Sequence, residues 1–168
     1  MNARAADVDA DRDEILRLHS EWWEANRTMD HERMRKLFVQ GDRYYQFNLN
    51  GHPYYGIDQK VRLWRAFGDA SMTIPEFSAD ENRRLEIRGD MAWLACENVI
   101  RVEAPPESFG EIPRTPFRVR STEVYQREDE DGAPVWRIWH MHCSLAAPAD
   151  APRLGFDDTY ESRLAGRA

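Results

Sequence analysis

The N-terminal part of the chain places apolar residues at the spacing of α-helices. A first helix is predicted from Asp13, a short second one after Asp30, whose side chain is suited to cap it, and a third after Gly56. Residues 44–49, between the second and third helices, predict a strand. The apolar faces of the first and third helices consist of Ile15, Leu18, Trp22 and Ala25, and of Ile57, Val61, Trp64 and Phe67.

The remainder of the chain alternates apolar and polar residues as β-strands do. Gly89-Asp90 is a hairpin signal, and Pro75 places its own strand at an edge or a bulge of the sheet. The chain thus has its predicted helices first and an antiparallel meander of strands second. This order predicts an α+β fold, with the helices packed on one face of a curved antiparallel sheet. The predicted strands cover residues 72–77, 84–88, 91–102, 117–127 and 135–145.

Length and charge narrow the class of protein. The 168 residues suffice for one domain, which we place at residues 12–147, between a flexible N-terminus (1–11) and a C-terminal tail (148–168). The net charge of −7 argues against a nucleic-acid partner. No apolar stretch is long enough to cross a membrane, and the N-terminus lacks a secretory signal. Only Cys96 and Cys143 occur, so we expect no disulfide framework and a cytoplasmic location.

Aromatic residues are frequent in this otherwise polar chain. Six Trp, six Tyr and seven Phe predict an aromatic cavity, a large apolar interface, or both. The sequence contains no phosphate-binding glycine loop, dinucleotide fingerprint or nucleophile elbow. We therefore expect any chemistry to be acid/base chemistry without a cofactor.

The last strands resemble those of a known superfamily. The motif STEVYQR at residues 121–127 is followed, after a charged turn, by WRIWHMHCS at residues 136–144. Gly56 also opens a helix that carries Leu63-Trp64. These segments are similar to SnoaL-like domains and to the association domain of calcium/calmodulin-dependent kinase, both within the nuclear-transport-factor-2-like superfamily. The resemblance spans roughly residues 10–147.

This resemblance implies a cone-shaped sheet wrapped around three helices, with an internal cavity between them. It also implies a homodimer, or a higher homo-oligomer, formed through the other face of the sheet. The superfamily includes ketosteroid isomerase, scytalone dehydratase and SnoaL-type cyclases. Because such a fold hosts many functions, the function has to be inferred from the residues of the site.

One face of the strand at residues 91–102 carries charged candidates. Alternation puts Trp93, Glu97 and Arg101 on the same side, and the resemblance places Arg101 at the position of a pocket arginine in the kinase association domain. One interpretation makes Glu97 a general base and Arg101 a clamp for a developing oxyanion. The other is a structural ion pair or a pair of residues at a dimer interface.

The loop at residues 52–55, at the expected mouth of the cavity, and the strand before it supply further candidates. His52 is an exposed acid/base candidate, and Tyr44 and Tyr54 are suited to stack on an aromatic substrate. The alternative is a surface loop with its aromatic rings packed down. On the helices, the residues expected to line the cavity, or simply to form core, are Trp22, Asn26 and Trp64.

The resemblance places Glu123 and Cys143 where the kinase association domain carries arginines, which makes a small carboxylate ligand less favoured. Glu123 then serves as a base in the pocket or pairs with Arg101 or Arg118 across the sheet. Strand alternation alone does not decide which face of the sheet lines the pocket.

His140 and Lys60 each have two interpretations. His140 and His142 share a strand face opposite Cys143, but no third ligand has zinc-motif spacing, so we expect no metal. The favoured interpretation is framework residues, with His140 still able to shuttle a proton. Lys60 is one of two lysines, and an ordinary surface charge is favoured over a desolvated base or imine-forming amine.

With the chemistry that the resemblance implies, these residues predict a cofactor-independent lyase (dehydratase or deformylase) or isomerase that acts on a hydrophobic aromatic small molecule, with His52 or Glu97 as the base. Some sphingomonad members of the superfamily release formaldehyde from lignin-derived diaryl compounds, so the resemblance makes such a compound one candidate substrate. The alternative is a non-catalytic ligand-binding or oligomerisation module. An epoxide hydrolase would need an Asp–Arg–Asp set, and none is evident in the strands.

Overall fold

A computed structural model of the chain describes residues 3–78, 80–105, 115–129 and 134–147. Helices form the first part and strands the second, as the apolar pattern predicts. The helices are α1 (Ala3–Arg27), α2 (His31–Arg35) and α3 (Ile57–Asp69). The strands are β1 (Tyr45–Phe47), β2 (Pro53–Tyr55), β3 (Thr73–Phe77), β4 (Glu81–Arg88), β5 (Met91–Glu103), β6 (Phe117–Asp129) and β7 (Pro134–Leu145). None of the described helices is long and apolar enough to span a membrane.

The strands form one strongly curled sheet that closes about half of a barrel around the helices. Its order is β2-β1-β7-β6-β5-β3, and β4 also pairs with β5. β1 runs parallel to β7, whereas the other pairs are antiparallel. The α+β fold and the curved sheet predicted from the sequence are thereby confirmed.

Local chemistry explains where the shorter elements begin. The Asp30 carboxylate accepts a hydrogen bond from the backbone N–H of Arg33 at 3.0 Å, so it caps α2 as predicted. Gly56 precedes α3 at a φ of 75°, and a Cβ there would lie 3.3 Å from the carbonyl oxygen of Gly41. Pro75 lies in β3 at the end of the sheet order, where a missing N–H is tolerated.

Strand alternation separates a concave face under the helices from a convex face. On β5 the side chains of Leu94, Cys96 and Asn98 are buried on the concave side. Trp93 and Glu97 lie on the convex side, where Trp93 is 39% exposed. Since α1 packs against β3, β4 and β7, polar groups on the concave face are cut off from bulk water.

Two boundaries differ from the prediction. α1 begins at Ala3, within the segment expected to be a flexible N-terminus, and Asp11 is buried with its carboxylate 2.8 Å from the indole nitrogen of Trp136. That hydrogen bond ties Asp11, in the first half of α1, to β7, so at least this residue of the segment expected to be flexible packs against the sheet. β2 was expected to be part of a loop. The predicted C-terminal tail at residues 148–168 lies outside the described residues.

Candidate functional site

A cavity of about 80 Å³ lies between the helices and the concave face of the sheet. A water needs roughly 10–15 Å³ by this measure, so the enclosed space suits a small molecule of several heavy atoms. Its wall is mainly apolar and aromatic. One side of the cavity lies close to solvent, because the wall there consists of half-exposed residues, namely Asn26, Leu49, Asn50 and Phe67. The remaining wall residues are Trp22, Trp23, Met29, Gln46, Asn48, Lys60, Trp64, Met72, Ile74, Ile100, Val102, Val119 and Cys143.

Lys60 brings the cationic group into this wall. It projects from α3, is 3% exposed, and its ammonium Nζ lies 2.6 Å from the side-chain oxygen of Asn48. Nζ also lies 5.0 Å from the ring centroid of Trp64 and 5.2 Å from that of Tyr54. Among the described residues that line the cavity there is no carboxylate to balance its charge. The expectation of an ordinary surface charge was therefore wrong.

A chain of hydrogen bonds along β1 holds the lysine's partner in place. The Tyr44 hydroxyl donates to the side-chain oxygen of Gln46 at 2.5 Å, and the Gln46 amide donates to the side-chain oxygen of Asn48 at 2.9 Å. Strand alternation puts these three side chains on one face, toward α3. The side-chain oxygen of Asn48, where this chain of hydrogen bonds ends, therefore accepts from both Gln46 and Lys60.

Burial changes the acid/base behaviour of both titratable groups in the wall. Desolvation lowers the pKa of Lys60 to about 7, because a dry apolar site disfavours its charged form. Desolvation raises the pKa of Cys143 to about 12, so its thiol stays protonated at neutral pH. Lys60 is therefore the wall group that exchanges a proton near neutrality.

A second cluster of polar side chains lies next to the cavity wall and is centred on His19. Its Nδ1 lies 2.9 Å from both carboxylate oxygens of Glu123, and its Nε2 lies 3.1 Å from Asp80. Burial by itself lowers the pKa of His19, but the charge of Glu123 and the hydrogen bond to Asp80 outweigh burial and raise that pKa well above its ordinary value. Tyr125 donates its hydroxyl proton to Glu123.

The structure brings some of the predicted substrate-binding residues together at the cavity. Trp22, Asn26 and Trp64 form part of the wall. Tyr44 and Tyr54 do not line the cavity themselves. Tyr44 contacts the lining residue Gln46, and Tyr54 contacts the lining residue Lys60. Their substrate-binding role stays a prediction.

The predicted catalytic residues lie elsewhere. His52 is exposed in the turn before β2, and its backbone N–H bonds the Asn50 side chain. Arg101 lies on the convex face of β5, where it pairs with Glu76 at 2.7 Å and with Glu103. Glu97, on the same face, lies 3.6 Å from Arg118. Glu97 and Arg101 thus pair with other charged residues on the convex face, and their catalytic roles stay predictions.

Glu123 and His140 lie on opposite faces of the sheet. Glu123 is fully buried on the concave side and bonds His19 and Tyr125, so the predicted pairing with Arg101 or Arg118 was wrong. His140 lies on the convex side, 2.9 Å from the Tyr45 carbonyl oxygen through Nδ1. Burial lowers the pKa of His140.

Sequence reasoning gave no role to several residues of these two clusters. Gln46 and Asn48 lie on a short strand where polar residues give no periodic signal. His19 falls between apolar positions of α1, at a spacing that a search for buried histidines on the apolar side would have found. Asp80 lies between two strands and gives no sequence signal of its own.

Comparison with solved structures identifies the fold class. A protein from Caulobacter vibrioides with a cystatin-like fold is 22% identical, with 94% of this chain and 98% of that one covered and a TM-score of 0.65. A proposed dehydratase of the NTF2-like family from Streptomyces avermitilis is 15% identical, with 83% and 99% covered and a TM-score of 0.62. A protein from Exiguobacterium sibiricum, assigned as a calcium/calmodulin-dependent kinase II association domain, is 14% identical, with 83% and 96% covered and a TM-score of 0.63.

At these identities the likeness establishes the NTF2-like fold. The model of the SnoaL-like domain family matches residues 15–148, and the chain belongs to that family. No curated protein matches the sequence. The resemblance inferred from the last two strands is confirmed.

Buried Lys60 makes stability depend on pH in a defined direction. Its folded-state pKa of about 7 lies below the ordinary 10.5, so the unfolded chain binds the proton first and stability falls as pH drops from 10.5 to about 7. The Lys60→Met variant cannot bind this proton and so does not lose this stability. Measured by urea unfolding, the free energy of unfolding of Lys60→Met minus that of wild type should be roughly 2 kcal/mol larger at about pH 6.5 than at about pH 9.

Lys36→Met is the matched control, because Lys36 is exposed and is the other lysine of the chain. Its stability difference from wild type should be the same at both pH values. An equal difference for Lys60→Met at both pH values would contradict a depressed lysine pKa.

Proposed function

We propose that the cavity is the active site of a lyase or isomerase that acts by acid/base chemistry on a hydrophobic aromatic small molecule. The observation that carries this proposal is Lys60, a buried amine in an aromatic wall whose described residues include no carboxylate. An uncompensated buried charge costs on the order of several kcal/mol, so a purely structural role is disfavoured. A pKa near the working pH is what a general base requires.

The wall chemistry favours an aromatic ligand with an oxygen substituent. Trp22, Trp23 and Trp64 contribute aromatic rings to the wall, and aromatic rings pack favourably against aromatic ligands. The indole N–H groups of Trp22 and Trp23 are buried without an acceptor in the described part of the chain, and a ligand oxygen would satisfy such donors. The enclosed volume fits one substituted ring, so a diaryl compound would extend its second ring toward the half-exposed side.

In this mechanism one amine both removes and returns the proton. Neutral Lys60 accepts a proton from a hydroxyl or an activated carbon of the substrate. The ammonium then donates to Asn48 at 2.6 Å and faces the rings of Trp64 and Tyr54, while its charge stabilises the anion left on the substrate. Return of the proton to another carbon gives isomerisation, and return to a leaving hydroxide gives dehydration.

Formaldehyde release fits the same cycle. Lys60 removes the proton of a hydroxymethyl O–H, the carbon–carbon bond breaks, and the electron pair stays on the aromatic fragment. The ammonium then protonates that carbon, so the products are formaldehyde and the shortened compound. A lignin-derived diaryl compound with a hydroxymethyl group is our proposed substrate for this version.

The first test is a thermal-shift screen followed by turnover. Phenolic monomers and diaryl compounds should raise the melting temperature, and steroids and small carboxylates should not. For compounds that are turned over, Lys60→Met should lower kcat/KM by at least about 100-fold, and Lys36→Met should leave it unchanged. Below about pH 7 the wild-type kcat/KM should fall about tenfold per pH unit, because Lys60 becomes protonated.

Other outcomes assign the activity differently. Turnover that survives Lys60→Met but is lost in His52→Ala or Glu97→Gln would restore the bases predicted from sequence and contradict the role of Lys60. If no class of compound raises the melting temperature and the protein is a tight oligomer, the non-catalytic module is favoured.

The convex face supports a second proposal, a homodimer of the kind that the family resemblance implies. Strand register aligns Trp93, Val124, His140, Tyr45 and Tyr55 in one row across five strands. Phe47 and Tyr55 are 44% and 60% exposed, which is unusual for large rings in a monomer. We propose that a second copy of this chain covers this row.

Light scattering at micromolar concentration tests this contact. Wild type should have the mass of a dimer or higher oligomer, and Trp93→Glu combined with Tyr55→Glu, both in the row, should yield monomers with an unchanged circular dichroism spectrum. Val8→Glu, on an exposed apolar residue of α1 and so outside the convex face, is the control and should keep the wild-type mass. A monomeric wild type would contradict the proposal.

A further inference from the structure

A buried group of metal-ligating side chains lies beyond the cavity wall, on the other side of Trp23. His19 on α1, Asp80 between β3 and β4, and Cys96 on β5 bring a ring nitrogen, a carboxylate oxygen and a thiol sulfur within 4.8 Å of one another. His19 and Cys96 are buried, and Asp80 is largely covered. These residues come from three distant parts of the sequence, so no motif spacing indicates them.

The donor set and its spacing fit a zinc-class divalent ion. Imidazole nitrogen, thiolate sulfur and carboxylate oxygen are the ligands that Zn²⁺ takes in proteins, at about 2.0–2.3 Å in a tetrahedral arrangement. Two such nitrogen and oxygen ligands stand roughly 3.3 Å apart at that geometry. His19 Nε2 and the Asp80 oxygens are separated by 3.1 and 3.2 Å.

Surrounding groups orient each of these ligands. Glu123 faces Nδ1 of His19 at 2.9 Å, which leaves Nε2 as the ligating nitrogen and matches the carboxylate–histidine–metal arrangement of known sites. Asn98 donates to Asp80 at 3.0 Å. The Cys96 sulfur lies 3.3 Å from both Ser121 Oγ and Asn98 Oδ1.

The cluster can be reached from outside. An open groove on the surface is lined by His19, Ser20, Trp23, Ser78, Asp80 and Arg83. An ion entering through it would meet Asp80 and His19 first. Three protein ligands leave a fourth coordination position, as in zinc sites that bind water or substrate.

We propose that His19, Asp80 and Cys96 bind one zinc-class divalent ion, with the fourth coordination position open to this groove. Binding replaces the proton between Nε2 and Asp80 and the proton of the Cys96 thiol, so two protons leave to solvent for each ion bound. This assignment revises the expectation of no metal, and it does not depend on the activity proposed for the cavity.

Cobalt titration of tag-free, chelator-treated protein tests the site. Co²⁺ should bind with one equivalent and produce the sulfur-to-cobalt charge-transfer absorption of a thiolate ligand, and Zn²⁺ should displace it. Cys96→Ser should abolish this absorption, whereas Cys143→Ser, which changes the other cysteine, should keep it. Asp80→Asn and His19→Gln should weaken binding at least about tenfold.

Two controls keep the result decisive. Circular dichroism must show each variant folded, and one equivalent of Zn²⁺ should raise the melting temperature of wild type and Cys143→Ser but not of Cys96→Ser. The proposal is overturned if wild type shows no saturable Co²⁺ binding, or if Cys96→Ser binds Co²⁺ with the same affinity and absorption as wild type.

Discussion

The curled sheet can be covered by helices only if each polar side chain on its concave face finds a partner away from water. Most of that face is apolar, but Gln46, Asn98 and Glu123 point inward from the strands. Because unpaired buried polar groups are costly, their hydrogen bonds determine where the helices contribute polar residues. Lys60 on α3 and His19 on α1 are those contributions.

The two buried clusters meet this requirement differently. Around His19 the charges are matched, since the imidazole lies between Glu123 and Asp80 and Arg83 reaches Asp80 at 2.9 Å. Lys60 is contacted by an amide and by ring faces, and none of the described residues that line the cavity carries an opposite charge. The His19 cluster is the one that we propose to bind a divalent ion, whereas Lys60 borders the cavity and burial lowers its pKa to about 7.

The fold was predictable from the sequence because alternation and helical spacing are local signals. Helical spacing placed α3, and the glycine hairpin placed β4 and β5. The site was less predictable. Alternation correctly grouped Glu97 with Arg101, but it does not say which face of a sheet is concave, and those two residues lie on the convex face. Lys60 appeared ordinary because burial of a single lysine depends on tertiary packing around Trp64 and Asn48.

The central claim is that Lys60 is buried and exchanges its proton near neutral pH. The most direct measurement is an NMR titration of the lysine side-chain carbons, which is tractable because the chain has two lysines and Lys36→Met leaves one. The account predicts that the Lys60 signal titrates with a pKa of about 7. A Lys60 signal that titrates near the ordinary 10.5 would contradict it.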